Sequence, residues 1–181
     1  MTREEALELV RQHLKNRNLV KHCLAVEACM RAVARRLGQD EERWGLAGVL
    51  HDLDYEVTEK SPELHTSETV RILQGHGVEP QIVHAIQAHA AKVPCESPMD
   101  WAIFSIDPLT GLIIAATLMH PSRQLKNVDL DFVKRRYKEK SFARGAKREE
   151  IEECRNIGLE LDEFIGICLA AMQGIAADLG L

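Results

Sequence analysis

The sequence predicts an all-α protein, a compact bundle of many helices followed by a C-terminal helical extension. Three observations carry that reading. Apolar residues recur at intervals of three and four along most of the 181 residues. Capping residues and glycines punctuate these stretches at helix length. No run sustains the in-out alternation of a half-buried strand. There is no internal repeat or low-complexity segment, so residues 1–181 are expected to form one domain. With 45% hydrophobic and 28% charged residues, the chain has the composition of a globular protein that buries ~70% of its unfolded surface.

Residue types bound the setting. The net charge of −5 gives no overall pull toward nucleic acid or an anionic membrane, so any anion site has to be local. Five cysteines (Cys23, Cys29, Cys95, Cys154 and Cys168) form no C-x-x-C pair, which suits a reducing cytoplasm. The N-terminus has no apolar targeting segment, and the most apolar stretch, about Leu109 to Met119, is shorter than the ~20 residues that span a bilayer. A cytoplasmic protein is expected.

Thr2 and Glu5 have the spacing of a capping box, and Ala6, Leu7, Val10 and Leu14 place a first helix up to about residue 15. Asn18 is read as the cap of a second helix, whose apolar face runs Leu19, His22, Val26, Val33 and Leu37 before Gly38 ends it. His22 on that stripe is either a core histidine bonded to a carbonyl or part of a site. Asp40 caps a third helix, in which Gly45 and Gly48 permit a neighbouring helix to approach closely. That helix ends at His51-Asp52. On its own such a pair has an ordinary explanation, the histidine complementing the helix dipole.

Residues 56–62 are polar and read as a surface loop, followed by a helix from about Pro62 to Leu73 with His65 in its first turn. Pro80 opens a short helix bearing Ile82, Val83, Ile86 and His89. From Met99 to His120 the chain is apolar on nearly all sides, as a central helix would be, yet Asp107-Pro108 lies in its middle. A kink or break is expected at Pro108. Asp107 then either caps a second helix or sits among Ile103, Phe104, Ile106 and Leu109, where a carboxylate needs a cation or strong donors.

A helix opening at Asp129 runs into the basic stretch Lys134 to Lys140, with Arg144, Lys147 and Arg148 behind it. Such runs are usually solvated faces; the functional reading is that Lys140, Arg144 or Lys147 binds phosphate. Helices over Arg148 to about Asn156 and Leu159 to Asp178 complete the chain.

Four residues from separate predicted helices have metal-ligating chemistry: His22, the pair His51 and Asp52, and Asp107. Two imidazoles and two carboxylates suit divalent Mn, Fe, Mg, Zn, Co or Ni and leave positions open for water and substrate oxygen. In order and type, a histidine, then His-Asp after an apolar helix ending Gly48-Val49-Leu50, then a distant aspartate on an apolar helix, the chain resembles the HD-domain superfamily of metal-dependent phosphohydrolases. The resemblance covers about residues 18–118 and leaves about 119–181 as the extension.

It implies that His22, His51, Asp52 and Asp107 are metal ligands in an all-helical fold. The stretches His65 to Leu73 and Ile82 to His89 are similar to the additional-histidine segments of the HDIG-type branch. There, His65 and His89 would serve a second metal bridged by Asp52. The chain departs from that branch in having Leu53-Asp54 where Ile-Gly is usual, and Ala88-His89 in place of paired histidines. Asp54 and Glu56 are the nearest carboxylates that could steer a catalytic water, or else buttress a ligating histidine.

The expected function is therefore metal-dependent hydrolysis of a small phosphorylated compound, such as a nucleotide, as a phosphomonoesterase or phosphodiesterase. The alternatives are a non-catalytic sensor module that keeps a structural metal and, more remotely, a di-iron oxygenase. Substrate identity is not written in any stretch of the chain.

Overall fold

A computed structural model describes residues 1–181, and every regular element in it is helical. Helix α1 (Arg3–His13) begins at the Thr2–Glu5 capping box with both reciprocal bonds made. Helix α2 (Arg17–Leu37) starts one residue before Asn18, because the Asn16 side chain accepts from the Asn18 amide and is the true cap. Gly38, at φ 66°, ends it in the left-handed conformation that glycine adopts without strain. Helix α3 (Glu41–Leu50) is capped by the Asp40 carboxylate, which accepts from the Glu42 and Arg43 amides.

Helices α2 and α3 meet at Gly48, where an added Cβ would stand 2.9 Å from both the Cα and the N of Glu27. The backbones can approach this closely only because position 48 has no side chain. Glu27 is itself 3% exposed and accepts from Arg3 Nη2 at 3.0 Å and Arg31 Nε at 2.9 Å, while Arg31 also pairs with Glu42 at 2.7 Å. One buried carboxylate thereby joins the first three helices, with its charge met by two guanidinium groups.

After α3 the polar stretch is not a plain loop: Tyr55–Thr58 forms the short helix α4. The helix expected from Pro62 to Leu73 is divided into a 3₁₀ turn at Pro62–Leu64 and helix α5 (Ser67–Gln74). The division falls at Thr66, whose φ of 71° is incompatible with a continuous right-handed helix, and it lifts His65 out of any helix. Helix α6 (Pro80–His89) starts at its proline and ends on its histidine.

Helix α7 (Pro98–Met119) opens with a Ser97–Asp100 capping box and passes through Pro108 without interruption. The expected break is absent. Proline there removes only the one amide that would bond the Phe104 carbonyl, and the rest of the ladder carries the helix on; Phe104 and Pro108 both line an open cleft. At 22 residues and a mean hydropathy of 1.8, α7 is long and apolar enough by composition alone to cross a membrane. Here it is the core helix, packed against α2, α6 and the helices that follow it.

Those are α8 (Leu130–Lys138), α9 (Arg148–Glu152) leading into a 3₁₀ turn at Glu153–Ile157, α10 (Leu161–Gly174) and α11 (Ala176–Leu179). The hydrophobic core is one connected set of buried residues running from Ala6 to Leu179, so the C-terminal helices share it with those that precede them. All five cysteines are free, and four of them are buried.

Replacing Gly48 with alanine should lower the unfolding free energy by about 1–3 kcal/mol, since it forces α2 and α3 apart. Gly166→Ala, in α10 with nothing nearer than 3.9 Å to its new Cβ, should raise it by about 0.5–1 kcal/mol. Urea unfolding of the two variants tests the pair, and equal effects would contradict the close contact.

Candidate metal centre

The residues at the heart of the molecule come from five places in the chain. His22 lies in the second turn of α2, and His51 closes α3 with Asp52 in the turn behind it. His65 stands between the 3₁₀ turn and α5, His89 ends α6, and Asp107 faces out of the middle of α7. The helix ends and the left-handed Thr66 let these side chains point inward without interrupting a packed helix.

The four imidazoles share one arrangement. The inner nitrogen Nδ1 of His51 donates to the Gly48 carbonyl at 2.8 Å, and that of His89 donates to the Ile86 carbonyl. Nδ1 of His65 donates to Asp54 Oδ1 at 2.8 Å. His22 Nδ1 faces the Thr110 hydroxyl at 3.2 Å; since that hydroxyl donates its own proton to the Asp107 carbonyl, it accepts from His22. Every Nδ1 proton is thus committed, which leaves the Nε2 lone pairs as the free positions.

These lone pairs converge. Nε2 of His22 and Nε2 of His51 are 3.2 Å apart, as are those of His65 and His89. Asp52, buried between the two pairs, presents Oδ2 to His51 and His22 at 3.5 and 3.6 Å, and Oδ1 to His65 and His89 at 3.3 and 3.5 Å. Asp107 Oδ1 adds a contact of 2.9 Å to His22 and 3.8 Å to His51. Two imidazole lone pairs at 3.2 Å repel unless a proton or a metal cation stands between them. The donor set therefore fits a divalent metal, with nitrogen and carboxylate oxygen in the proportion such ions accept. His22, His51 and Asp107 form one group that could hold an ion, and His51, Asp52 and His89 another.

Electrostatics follow from the same geometry. Burial alone would lower the pKa of His22, but the bond and charge of Asp107 outweigh it and raise it to about 8. His65 is raised to about 9 against burial by Asp52 and Asp54. Burial would push both carboxylates up, yet His51, His65, His89 and His22 hold Asp52 well below the usual range, with His22 and His51 doing the same for Asp107.

A cleft of about 600 Å³ opens onto this cluster, and His22, Asp52, His65, His89 and Asp107 all line it. The walls include Tyr55, Phe104, Ala91, Ala143 and Lys147. Ala91 and Ala143 have φ of 55° and 44°, so that, with Thr66 beside His65, three of the four left-handed non-glycine residues lie at the site, the fourth being Arg123. Such strain persists only where surrounding structure imposes it.

The other expected participants divide between the site and its surroundings. Asp54 is 1% exposed and does not line the cleft; besides holding His65, its Oδ2 accepts the Glu68 and Thr69 amides at the start of α5. Glu56 Oε2 accepts the Lys15 and Asn16 amides in the link between α1 and α2, and Glu56 is not part of the cleft lining. Lys140 and Arg144 are exposed and outside the cleft, whereas Lys147 is part of its lining. His84 pairs with Asp100 at 3.1 Å, away from the cluster. Thr110 went unread in the sequence; one turn after Asp107 on the same helix face, its spacing was the available signal.

The HD domain family matches residues 19–123. Ribonuclease Y of Oleidesulfovibrio alaskensis is 30% identical over 96 residues, covering 53% of this chain and 18% of the relative. Ribonuclease Y of Syntrophobacter fumaroxidans is 29% identical over 94 residues, 52% of this chain and 18% of the relative. Ribonuclease Y of Sulfurovum sp. is 25% identical over 135 residues, 73% and 26% respectively. The chain thus spans well under a third of the length of these relatives. No solved structure matches it. The family match takes in more than half of the chain, with the convergent histidines and aspartates inside it, and this protein belongs to the HD-domain superfamily of metal-dependent phosphohydrolases.

Proposed function

We propose that the protein hydrolyses a phosphoester of a small phosphorylated compound, of the nucleotide class, at a pair of divalent cations. One observation carries the reading: the two oxygens of the buried Asp52 face two separate histidine pairs, as a carboxylate shared by two ions would. His22, His51 and Asp107 would hold one cation with Asp52 Oδ2, and His65 and His89 the other with Oδ1. Mn²⁺, Fe²⁺, Co²⁺, Ni²⁺, Zn²⁺ and Mg²⁺ are all compatible with nitrogen and oxygen donors. When bound, such cations lower the pKa of water and neutralise charge that develops on phosphoryl oxygens.

The chain's own groups do the rest. Carbonyls and carboxylates behind the imidazoles fix which nitrogen faces the cleft, and Asp54 does this for His65 while also anchoring α5. Lys147 offers an ammonium to a substrate phosphate. The names of the relatives support phosphoester cleavage, and favour RNA as a second reading of the substrate.

Wild-type protein loaded with Mn²⁺ should carry two ions per chain, with His65→Ala and His89→Ala each carrying one, measured by elemental analysis. Asp52→Asn should cut turnover of a chromogenic phosphoester by about 100-fold or more. Chelation should abolish that turnover and added Mn²⁺ restore it; full activity after chelation, or two bound ions with no turnover of any phosphoester, would sink the proposal. Asp54→Asn should weaken binding of the second ion by about 10–100-fold and leave the first in place, as titration of the apoprotein would record.

A further inference from the structure

Part of the cleft is built from beyond the family match. Ala143, Gly145, Ala146, Lys147 and Glu150 line it, and all follow residue 123, where the HD match ends. The first four belong to the segment joining α8 to α9, which has no regular helix of its own.

That segment is nevertheless held in one shape. The Arg148 guanidinium donates Nε to the Tyr137 carbonyl at 3.1 Å, Nη1 to the Ala143 carbonyl at 2.9 Å and to that of Ala146, and Nη2 to the Phe142 carbonyl at 2.7 Å. It also lies over the Tyr137 ring, whose hydroxyl bonds Glu152 at 3.0 Å. A planar fork with five donors is suited to gathering several carbonyls at once, and here it imposes the left-handed turn at Ala143. The loop is therefore formed before any ligand arrives, and the residue before Arg148 is placed by it.

That residue is Lys147, the one lysine or arginine among the residues lining the cleft. Its ammonium pairs with Glu150 at 2.6 Å, in an exposed contact of the kind readily exchanged for another anion. Glu150 raises its pKa, and Asp107 of the metal cluster also contributes, so the ammonium is charged and within electrostatic reach of that cluster. Apart from the clustered histidines and Lys147, the acidic and basic residues of the lining are the carboxylates Asp52, Asp107 and Glu150. An RNA strand lays successive phosphates along a basic track, and a single lysine beside the metal cluster, with no arginine or second lysine in the cleft lining, is not such a track. A cleft of about 600 Å³ has the size of a small-ligand pocket.

We infer that the Arg148-braced loop is the substrate-recognition element, in which Lys147 takes the terminal phosphate of a nucleoside monophosphate or a phosphomonoester of similar size, to the exclusion of RNA strands. The placing of that phosphate beside the cations rests on the function proposed above. Arg148 is a positioning residue, acting through Lys147 and the loop.

Binding is the test, so that it does not depend on turnover. The probe is the 5′-phosphonate analogue of a nucleoside monophosphate, which has no cleavable ester oxygen, titrated into the Mn²⁺-loaded full chain. Lys147→Ala, a change at a side chain 60% exposed, should weaken binding by about 10- to 100-fold with metal content and melting temperature unchanged, and Lys147→Arg should recover most of the loss. Arg148→Gln should weaken binding in the same direction. An oligoribonucleotide without terminal phosphates should fail to compete. Unchanged affinity in Lys147→Ala, absence of binding by the wild type, or effective competition by the oligoribonucleotide would each overturn the inference. The expected binding pattern without hydrolysis of any phosphoester would leave it standing and overturn only the catalytic proposal.

Discussion

Four imidazole lone pairs brought together around one buried carboxylate are the constraint on which the rest of this structure depends. Each inner proton is tied to a fixed acceptor, so the rings cannot rotate to relieve the 3.2 Å approach of His22 to His51 or of His65 to His89. In the absence of a metal, protons on His22 and His65, stabilised by Asp107, Asp52 and Asp54, offset the repulsion. The cluster thus holds a positive charge between its donors in either case. This is the electrostatic logic by which a folded chain keeps a site ready for a cation.

Much of the packing serves that geometry from a distance. His22 and His51 are carried by α2 and α3, and their separation depends on how closely those helices lie; Gly48 permits the contact, and its own carbonyl orients His51. The same residue thus sets both a backbone distance and an imidazole tautomer. Glu27, behind that contact, braces α1, α2 and α3 through Arg3 and Arg31. On the other side, α7 remains a single helix through Pro108, which keeps Asp107 and Thr110 one turn apart on the face that meets His22.

The segment shared with the HD family carries the histidines and aspartates, while the chain beyond it adds both core and cleft wall. Phe164, Cys168 and Met172 of α10 are fully buried, so the extension is not a loosely attached tail. The loop between α8 and α9 is gathered by Arg148, while Ala146 within it is buried in the shared core. On the function and inference proposed above, chemistry and recognition would come from different parts of one core.

The all-α class and most helix limits were legible in the sequence, because periodicity and capping residues are local properties of the chain; the grouping of His22, His51, Asp52 and Asp107 was legible through the order of residue types that resembles the HD-domain superfamily. His65 and His89 were legible as extra histidines, but that Asp52 turns one oxygen to each histidine pair is a matter of packing. Helix propensity could not show that Thr66 would take a left-handed conformation, nor that Pro108 would face open space and leave α7 intact. Adjacency in sequence offered Asp54 and Glu56 either to steer a water or to buttress a ligating histidine; folding gives Asp54 the second place, at His65 and the α5 amides, and sends Glu56 to amides some forty residues earlier. Among Lys140, Arg144 and Lys147, only the last reaches the cleft. Local pattern determines what a segment becomes and which chemistry it carries, whereas the direction of a side chain and its partner depend on contacts between segments far apart in the chain.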